Sequence, residues 1–447
     1  MESLPQNGQN FIQGTQKALK DFLQPFTRIF PDQRLRRNGE ALIQGLIVSQ
    51  SPHLTKAMWS GGEPNASAWA QAKRGYRLVH NNRVSVWQWT KSLYRLAQHT
   101  VHEEGAEELV VAIDLVQFEK PYARRVEGVS QVHKSTPPDL HGEARLTWGY
   151  PAITATVVNL SRPATTYAHW FSYRAEDFVS QNREIQRAVR MTRALFPDKS
   201  LCFLMDATGD DRKFFEWALA ANATFIVRAG HRERQVEVWN ERLKRWEPAK
   251  IGELIDLAIW RGTFQVEVQR KGKTRRKTVR LGWYRIRLPE SGQELSLVVV
   301  NNVTKSKGEK EEDEEEERLF GLLTNRRVLN LKDAQRVYQD WRLRHRIEDG
   351  YRFDQEAGLD IEQVMVHSLA GMQRMFVAVL WAMHFITHLL NTWPQEVLVW
   401  LQGLGGQIPP TRNRNGLYRL LWGVARLWIT LSTLKLLNTY PPPASFG

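Results

Sequence analysis

With 447 residues the chain is long enough for several domains and a large buried core, and 42% apolar with 25% charged residues is the composition of a folded protein. A single cysteine, Cys202, excludes an intramolecular disulfide framework and leads us to expect a reducing, intracellular setting. The 62 Lys and Arg against 48 Asp and Glu leave a net charge of +14 and a sequence pI near 9.8, which favours nucleic acid as the partner; a membrane surface would also need an apolar anchor or a basic amphipathic helix.

Residues 1–105 read as helical, with apolar spacing through Ala41, Leu42 and Leu46 and again through Val86, Trp89, Leu93 and Leu96. Met1 to Asp32 lacks a basic start followed by an apolar stretch, so no secretory leader is expected. Lys73, Arg74, Arg77, Arg83, Lys91 and Arg95 interleave with Trp59, Trp69, Trp87 and Trp89. That mixture suits phosphate contact with groove or end packing, and a solvated helical face over a tryptophan-rich core explains the same letters about as well. A short helix-turn-helix around Ser49 to Pro52 is compatible with this stretch.

From about 106 the texture changes. Leu109 to Val116 is a continuous apolar run carrying Asp114 near its end, the pattern of a strand buried on both faces. Strands at Ala152 to Leu160 and Tyr167 to Tyr173, a helix over Phe178 to Leu195 and a buried strand from Leu201 ending on Asp206 follow. Asp210 or Asp211 then caps a helix through Ala221, and Thr224 to Arg228 returns as strand. This order describes an α/β fold with a ribonuclease H-like mixed sheet over 106–230. Residues 231–320 alternate like strands (Phe264 to Val268, Thr278 to Trp283, Leu295 to Val300) and predict an inserted β-rich domain with a basic hairpin at Gln269 to Lys277. The acidic run Glu309 to Glu317 reads as a solvated loop. The core resumes over 321–365, with Leu319 to Thr324 returning to the sheet and a long helix from Lys332 to about Ala357. Residues 366–447 read as a helical C-terminal region. In it Met375 to Leu390 falls short of a spanning length and predicts a buried helix rather than a membrane anchor, and the apolar helices, Leu417 to Leu437 included, are a candidate homodimer interface. His384 and His388, four apart, could share a metal but have no accompanying carboxylate.

Two aspartates at the ends of two buried strands, Asp114 and Asp206, put two carboxylates at one edge of a sheet. Like charges so close need a shared cation, and hard oxygen donors suit two Mg²⁺ or Mn²⁺ ions. Glu348 is the third carboxylate chosen, because Trp341, Arg344, Glu348, Arg352 and Gln355 are spaced 3, 4, 4 and 3 and form one helical stripe. Arg344 and Glu348 at i,i+4 also fit a surface ion-pair ladder. Glu119 lies past its strand end, and Asp340 and Asp349 point off the stripe.

Over about 106–365 the sequence resembles the DDE transposases of the insertion-sequence-four group, whose signature Tyr-x2-Arg-x3-Glu-x6-Lys is met by Trp341, Arg344, Glu348 and Gln355. Trp for Tyr loses a phenolic donor, which Tyr338 could supply from one turn earlier, and Gln for Lys loses a positive charge. Asp206-Ala-Thr-Gly-Asp-Asp211 resembles the family's second aspartate segment, Phe225-Ile-Val-Arg228 the strand whose arginine contacts DNA, and Leu322-Leu-Thr-Asn325 the strand re-entering the core. The resemblance implies that Asp114, Asp206 and Glu348 are catalytic and hold two Mg²⁺ ions. It implies that Arg228, Arg344, Trp341 and Gln355 contact DNA, and that Phe320 stacks on a flipped base; a buried core aromatic is the other reading of Phe320. The implied activity is cleavage at transposon terminal inverted repeats and strand transfer into target double-stranded DNA by a homodimer, cytoplasmic and nucleoid-associated in a bacterium. A non-catalytic DNA-binding regulator and a ribonuclease H-like nuclease without joining activity are the alternatives.

Overall fold

The computed structural model describes residues 6–62, 66–133, 146–270, 273–303, 319–347, 359–406 and 416–439. The N-terminal helices are α1 (Gln6–Phe22), α2 (Gln24–Thr27), α3 (Gln33–Ser49), α4 (Leu54–Gly61), α5 (Ala68–Val79) and α6 (Val86–Glu104), with no strand among the described residues before Glu108. Short polar side chains set their starts: Asp32 accepts the Leu35 N–H at 2.8 Å ahead of α3, and Ser85 forms a reciprocal capping box with Gln88 at α6. α3 and α4 are joined by a short turn through Gln50 in the left-handed region. The two helices approach so closely that a Cβ on Gly45 would sit 1.7 Å from the Ala57 carbonyl oxygen, so glycine is required there.

The strands are β1 (Glu108–Glu119), β2 (Ser130–His133), β3 (Leu146–Val157), β4 (Ala164–Trp170), β5 (Ser200–Met205), β6 (Thr224–Arg228), β7 (Gln235–Asn240), β8 (Arg245–Lys250), β9 (Gly262–Arg270), β10 (Lys273–Arg287), β11 (Glu294–Val303) and β12 (Leu319–Thr324). All belong to one mixed sheet. At one end β3 runs antiparallel to both β4 and β1, and β1, β5 and β6 then run parallel in succession, with α7 (Gln181–Leu195) preceding β5 and α8 (Arg212–Ala220) preceding β6. Next to β6, antiparallel β12 leads on to β11 and β10, and β10 carries β9 as well as the β7–β8 hairpin. Strands of the 231–320 stretch therefore extend the same sheet through β12. α9 (Ile251–Asp256) lies between β8 and β9, and α10 (Leu331–Arg342) follows β12.

Period-two alternation gives the sheet two different faces. Val111, Ile113, Phe203, Phe225 and Val227 belong to the larger apolar core, shared with the helical regions. Val110, Ala112, Cys202, Leu204, Ile226, Phe320 and Leu322 belong to a smaller core on the other face, covered by Val337, Tyr338 and Trp341 of α10. The C-terminal helices α11 (Leu369–Thr392), α12 (Gln395–Leu404) and α13 (Leu417–Thr439) pack back against the N-terminal ones, α11 on α3 and α6 and α13 on α3.

Four expectations need correction. The helix expected from Lys332 to about Ala357 is interrupted: α10 ends at Arg342, Leu343 and Arg344 form a turn and His345 to Ile347 are helical again, while 348–357 lie outside the described residues. The N–H groups of Leu343, Arg344, Arg346 and Ile347 bond three residues back at 3.0 Å each, which tightens the winding. No residue there breaks a helix by type. The tightening coincides with Arg346 donating to the carbonyls of Val158, Leu160 and Ser161, and with burial of Ile347, contacts that lie far off in sequence. Glu119 is not past the end of its strand, because β1 continues through it. α11 has 24 residues and is long and apolar enough to cross a membrane, unlike the shorter segment expected, yet its apolar window is 67% buried inside the protein. Within α13, Leu420, Leu421, Val424 and Trp428 are buried in the chain itself, so these residues offer no open dimer face.

Candidate active site

The parallel ladder of β1 and β5 ends on the pair Ala112–Leu204, and carrying that register on by two residues brings Asp114 of β1 level with Asp206, the residue just past the end of β5. The ladder of β5 and β6 pairs Met205 with Val227, which brings Arg228 to that level on the third strand. Adjacent strands lie about 4.8 Å apart. Alternation places all three side chains on the face of Ala112, Leu204 and Ile226, the face of the smaller core. All three are half-buried, at the rim where that core meets solvent.

Asp206 is held in place by its own turn. Its Oδ1 accepts the Thr208 N–H at 2.9 Å and the Thr208 hydroxyl, capping a short 3₁₀ turn over Ala207–Gly209. Asp114 sits in the middle of the β1–β3 ladder, opposite the buried Thr154. Burial, and the neighbouring Arg344 guanidinium, hold Arg228 below the ordinary arginine range, with Asp206 opposing them. One acid and two arginines thus share a small volume. The Arg228 guanidinium lies 5.9 Å from the Phe320 ring centroid, Phe320 and Trp341 meet at 5.0 Å with their planes tilted by 40°, and Arg344 lies 5.9 Å from the Trp341 ring.

The structure therefore brings together Asp114, Asp206, Arg228, Phe320, Trp341 and Arg344. Glu348 and Gln355, with Asp349, Arg352, the acidic run Glu309 to Glu317 and the tip of the basic hairpin at 271–272, lie outside the described residues. Phe320 is 6% exposed and Trp341 8%, so in this state their rings seat the two arginines. Tyr338 donates its hydroxyl to Asn302 at 3.0 Å and is buried, and Asp340 is engaged by Arg326. Among the described residues no cluster of three or more metal-ligating side chains is found. The described donor set is the carboxylate pair, whose hard oxygens suit Mg²⁺ or Mn²⁺. His384 and His388 are engaged elsewhere, by Thr165 at 2.9 Å and Arg162 at 3.1 Å, and burial pushes His384 down to about 4.

Two features were missed in the sequence. Lys120, one residue beyond β1, is 5% exposed and donates to the carbonyls of Glu362 and Val364, the latter at 2.9 Å. Asp210 is 1% exposed, and Asp211 alone caps α8. A doublet of aspartates of which only one can be the cap was the available signal for the second. Of the basic and aromatic N-terminal residues, Trp89 is core, whereas Trp59, Trp69 and Trp87 are 63%, 67% and 49% exposed. Lys73 lies over the Trp69 ring at 5.1 Å, and Arg83 pairs with Asp32.

The chain matches no protein-family model and no curated protein. Among solved structures it is similar to the cryo-EM structure of a piggyBac transposase synaptic complex with hairpin DNA, at 10% identity and a TM-score of 0.38, over 92% of this chain and 73% of that one. A likeness that weak decides nothing about chemistry.

Proposed function

We propose that this chain is a DDE transposase with a ribonuclease H-like core, of the insertion-sequence-four group, which cleaves transposon ends and joins them to target DNA. One observation carries the reading: Asp114 and Asp206 are level on neighbouring parallel strands, on one face, with Arg228 level on the next strand. The strand order β4-β3-β1-β5-β6, three antiparallel then two further parallel, supports the ribonuclease H-like part. The signature positions Trp341, Arg344, Glu348 and Gln355, with the segments Asp206 to Asp211, Phe225 to Arg228 and Leu322 to Asn325, support the named group.

In this reading Asp114, Asp206 and Glu348 hold two Mg²⁺ ions. Bound there, the ions supply charge stabilisation for the attacking and leaving oxygens of a phosphodiester displacement. Arg228 and Arg344 hold phosphates, and the Phe320–Trp341 pair, excluded from water, keeps the two guanidinium groups apart and aimed at the rim. The net charge of +14 suits a DNA partner whose affinity falls steeply with salt. Pairing of two DNA ends calls for two copies of the chain.

The test is cleavage in vitro of a duplex carrying a candidate terminal repeat, with Mg²⁺ or with chelator. Metal-dependent nicking at the repeat end followed by a joined product is expected. Nicking without joining would leave a nuclease, and salt-sensitive binding without nicking a regulator.

A further inference from the structure

Asp210 is a buried acid for which the site above has no use. Its Oδ2 accepts the N–H groups of both Gly230 and His231 at 2.8 Å, and its Oδ1 accepts Arg234 at 2.6 Å. Its main-chain oxygen takes the same guanidinium at 2.9 Å. Arg234 in turn lies over the Phe215 ring of α8 at 5.3 Å. A buried carboxylate is costly unless its acceptor sites are filled, and here donors come from one short loop. That loop leaves β6 immediately after Arg228, and Asp210 sits at the end of the turn that leaves β5 through Asp206. The two segments touch: a Cβ on Gly230 would come within 2.8 Å of the Ala207 Cβ.

We propose that Asp210 is a positioning residue that locks the exit of β5 to the exit of β6, and so fixes the separation of Asp206 and Arg228. The inference rests on the catalytic reading for its effect on rate, but the lock itself is testable without catalysis. Without the carboxylate the Gly230 and His231 amides lose their acceptor and the loop loses its tie to the β5 exit, while its bonds to α9, from the Gly252 N–H to the Arg232 carbonyl at 2.7 Å and from the Ile251 N–H to the Arg234 carbonyl at 3.1 Å, do not replace it. A displacement of the order of 1 Å at a phosphate contact costs about a hundredfold in rate.

The experiment compares the full-length wild type with Asp210→Ala, Asp210→Asn and the double variant Asp210→Asn, Arg234→Gln. Three measurements are made: cleavage of the terminal-repeat duplex, the salt slope of binding to a short duplex of arbitrary sequence, and amide hydrogen exchange at Gly230 and His231. For Asp210→Ala we expect kcat to fall about a hundredfold with KM nearly unchanged, the salt slope to drop by about one phosphate contact, and both amides to exchange faster. Asp210→Asn, which keeps an acceptor oxygen, should recover part of the rate. The double variant, which replaces the ion pair with a neutral one, should recover more. Loss of cleavage merely in proportion to unfolded protein, or Asp210→Asn no better than Asp210→Ala, overturns the proposal. If the wild type does not cleave, the catalytic reading fails by itself. Salt slope and amide exchange then still decide, and values equal to wild type in Asp210→Ala overturn the lock.

Discussion

The exits of β1 and of the β5–β6 pair solve one problem with opposite charges. At the β1 exit a buried ammonium, Lys120, reaches across to main-chain carbonyls of Glu362 and Val364, while the Glu119 N–H donates to the Glu362 side chain at 3.0 Å. At the other exit a buried carboxylate, Asp210, gathers main-chain amides and a guanidinium. The choice follows from what the facing segment has to offer: the 360–364 stretch offers the carbonyls of Glu362 and Val364, and the loop after β6 offers the N–H groups of Gly230 and His231. The two clamps differ in electrical balance. Asp210 has Arg234 as a bonded counter-ion, whereas Lys120 bonds to neutral carbonyls with Glu362 and Asp360 as nearby charges, and burial pushes it down to about 8. The β1 clamp thus rests on a lysine that burial holds well below its ordinary value. It also ties the strand of Asp114 to the chain just after the 348–358 stretch, while the Asp210 clamp ties the strand of Asp206 to that of Arg228.

The largest effect should come from the acids between the clamps. Asp114→Asn and Asp206→Asn, with Glu348→Gln, are expected to bring end cleavage down to the metal-free background while DNA affinity in gel shift stays near wild type. Full activity in any one of them would remove that residue from the site. Next comes the face that both exits border. Phe320→Ala should cost about 3 kcal/mol in denaturant melts, as for a packed core aromatic, and should lower DNA affinity through the loss of the seat under Arg228. If a fluorescent base analogue at the cut unstacks normally in that variant, Phe320 is a packing residue and not a base-stacking one.

The asymmetry of the clamps can be tested by pH. A lysine whose folded value lies below its ordinary 10.5 binds more protons unfolded than folded between about pH 8 and 10.5, so stability rises with pH through that window. Going from about pH 7.5 to 9.5, wild type should gain about 2 kcal/mol relative to Lys120→Met. Equal pH slopes in the two proteins would mean that Lys120 is not held in its buried, charge-penalised state. The smallest effect is the most local. Arg228→Ala should reduce the salt slope of DNA binding by about one unit, and an unchanged slope would count against a phosphate contact.

Much of the fold was readable because buried strands announce themselves. Thr224 to Arg228 and Leu319 to Thr324 were expected as strands and are β6 and β12 to the residue. Asp206 and Arg228 were readable for the same reason, each being a charge at the end of an apolar run, whereas Asp114, expected at a strand end, stands in the middle of β1, which continues to Glu119. The end of α10 was not, since no glycine or proline marks it and the tightening goes with contacts to Val158, Leu160 and Ser161 about 185 positions earlier. The clamps were hidden for a related reason. Lys120 is an ordinary-looking lysine after a strand until a segment some 240 residues later covers it.

The sequence by itself determined which segments are strands, which charges stand at or near their ends, and a net charge of +14. These are local properties, set by side-chain period and composition. Only the tertiary structure decided which strand ends are neighbours, that Asp114, Asp206 and Arg228 are level on one face, that Phe320 and Trp341 are closed against each other, and that Asp210 and Lys120 are buried. Strand order and burial depend on contacts between residues far apart in the chain, and no short-range pattern of letters encodes them.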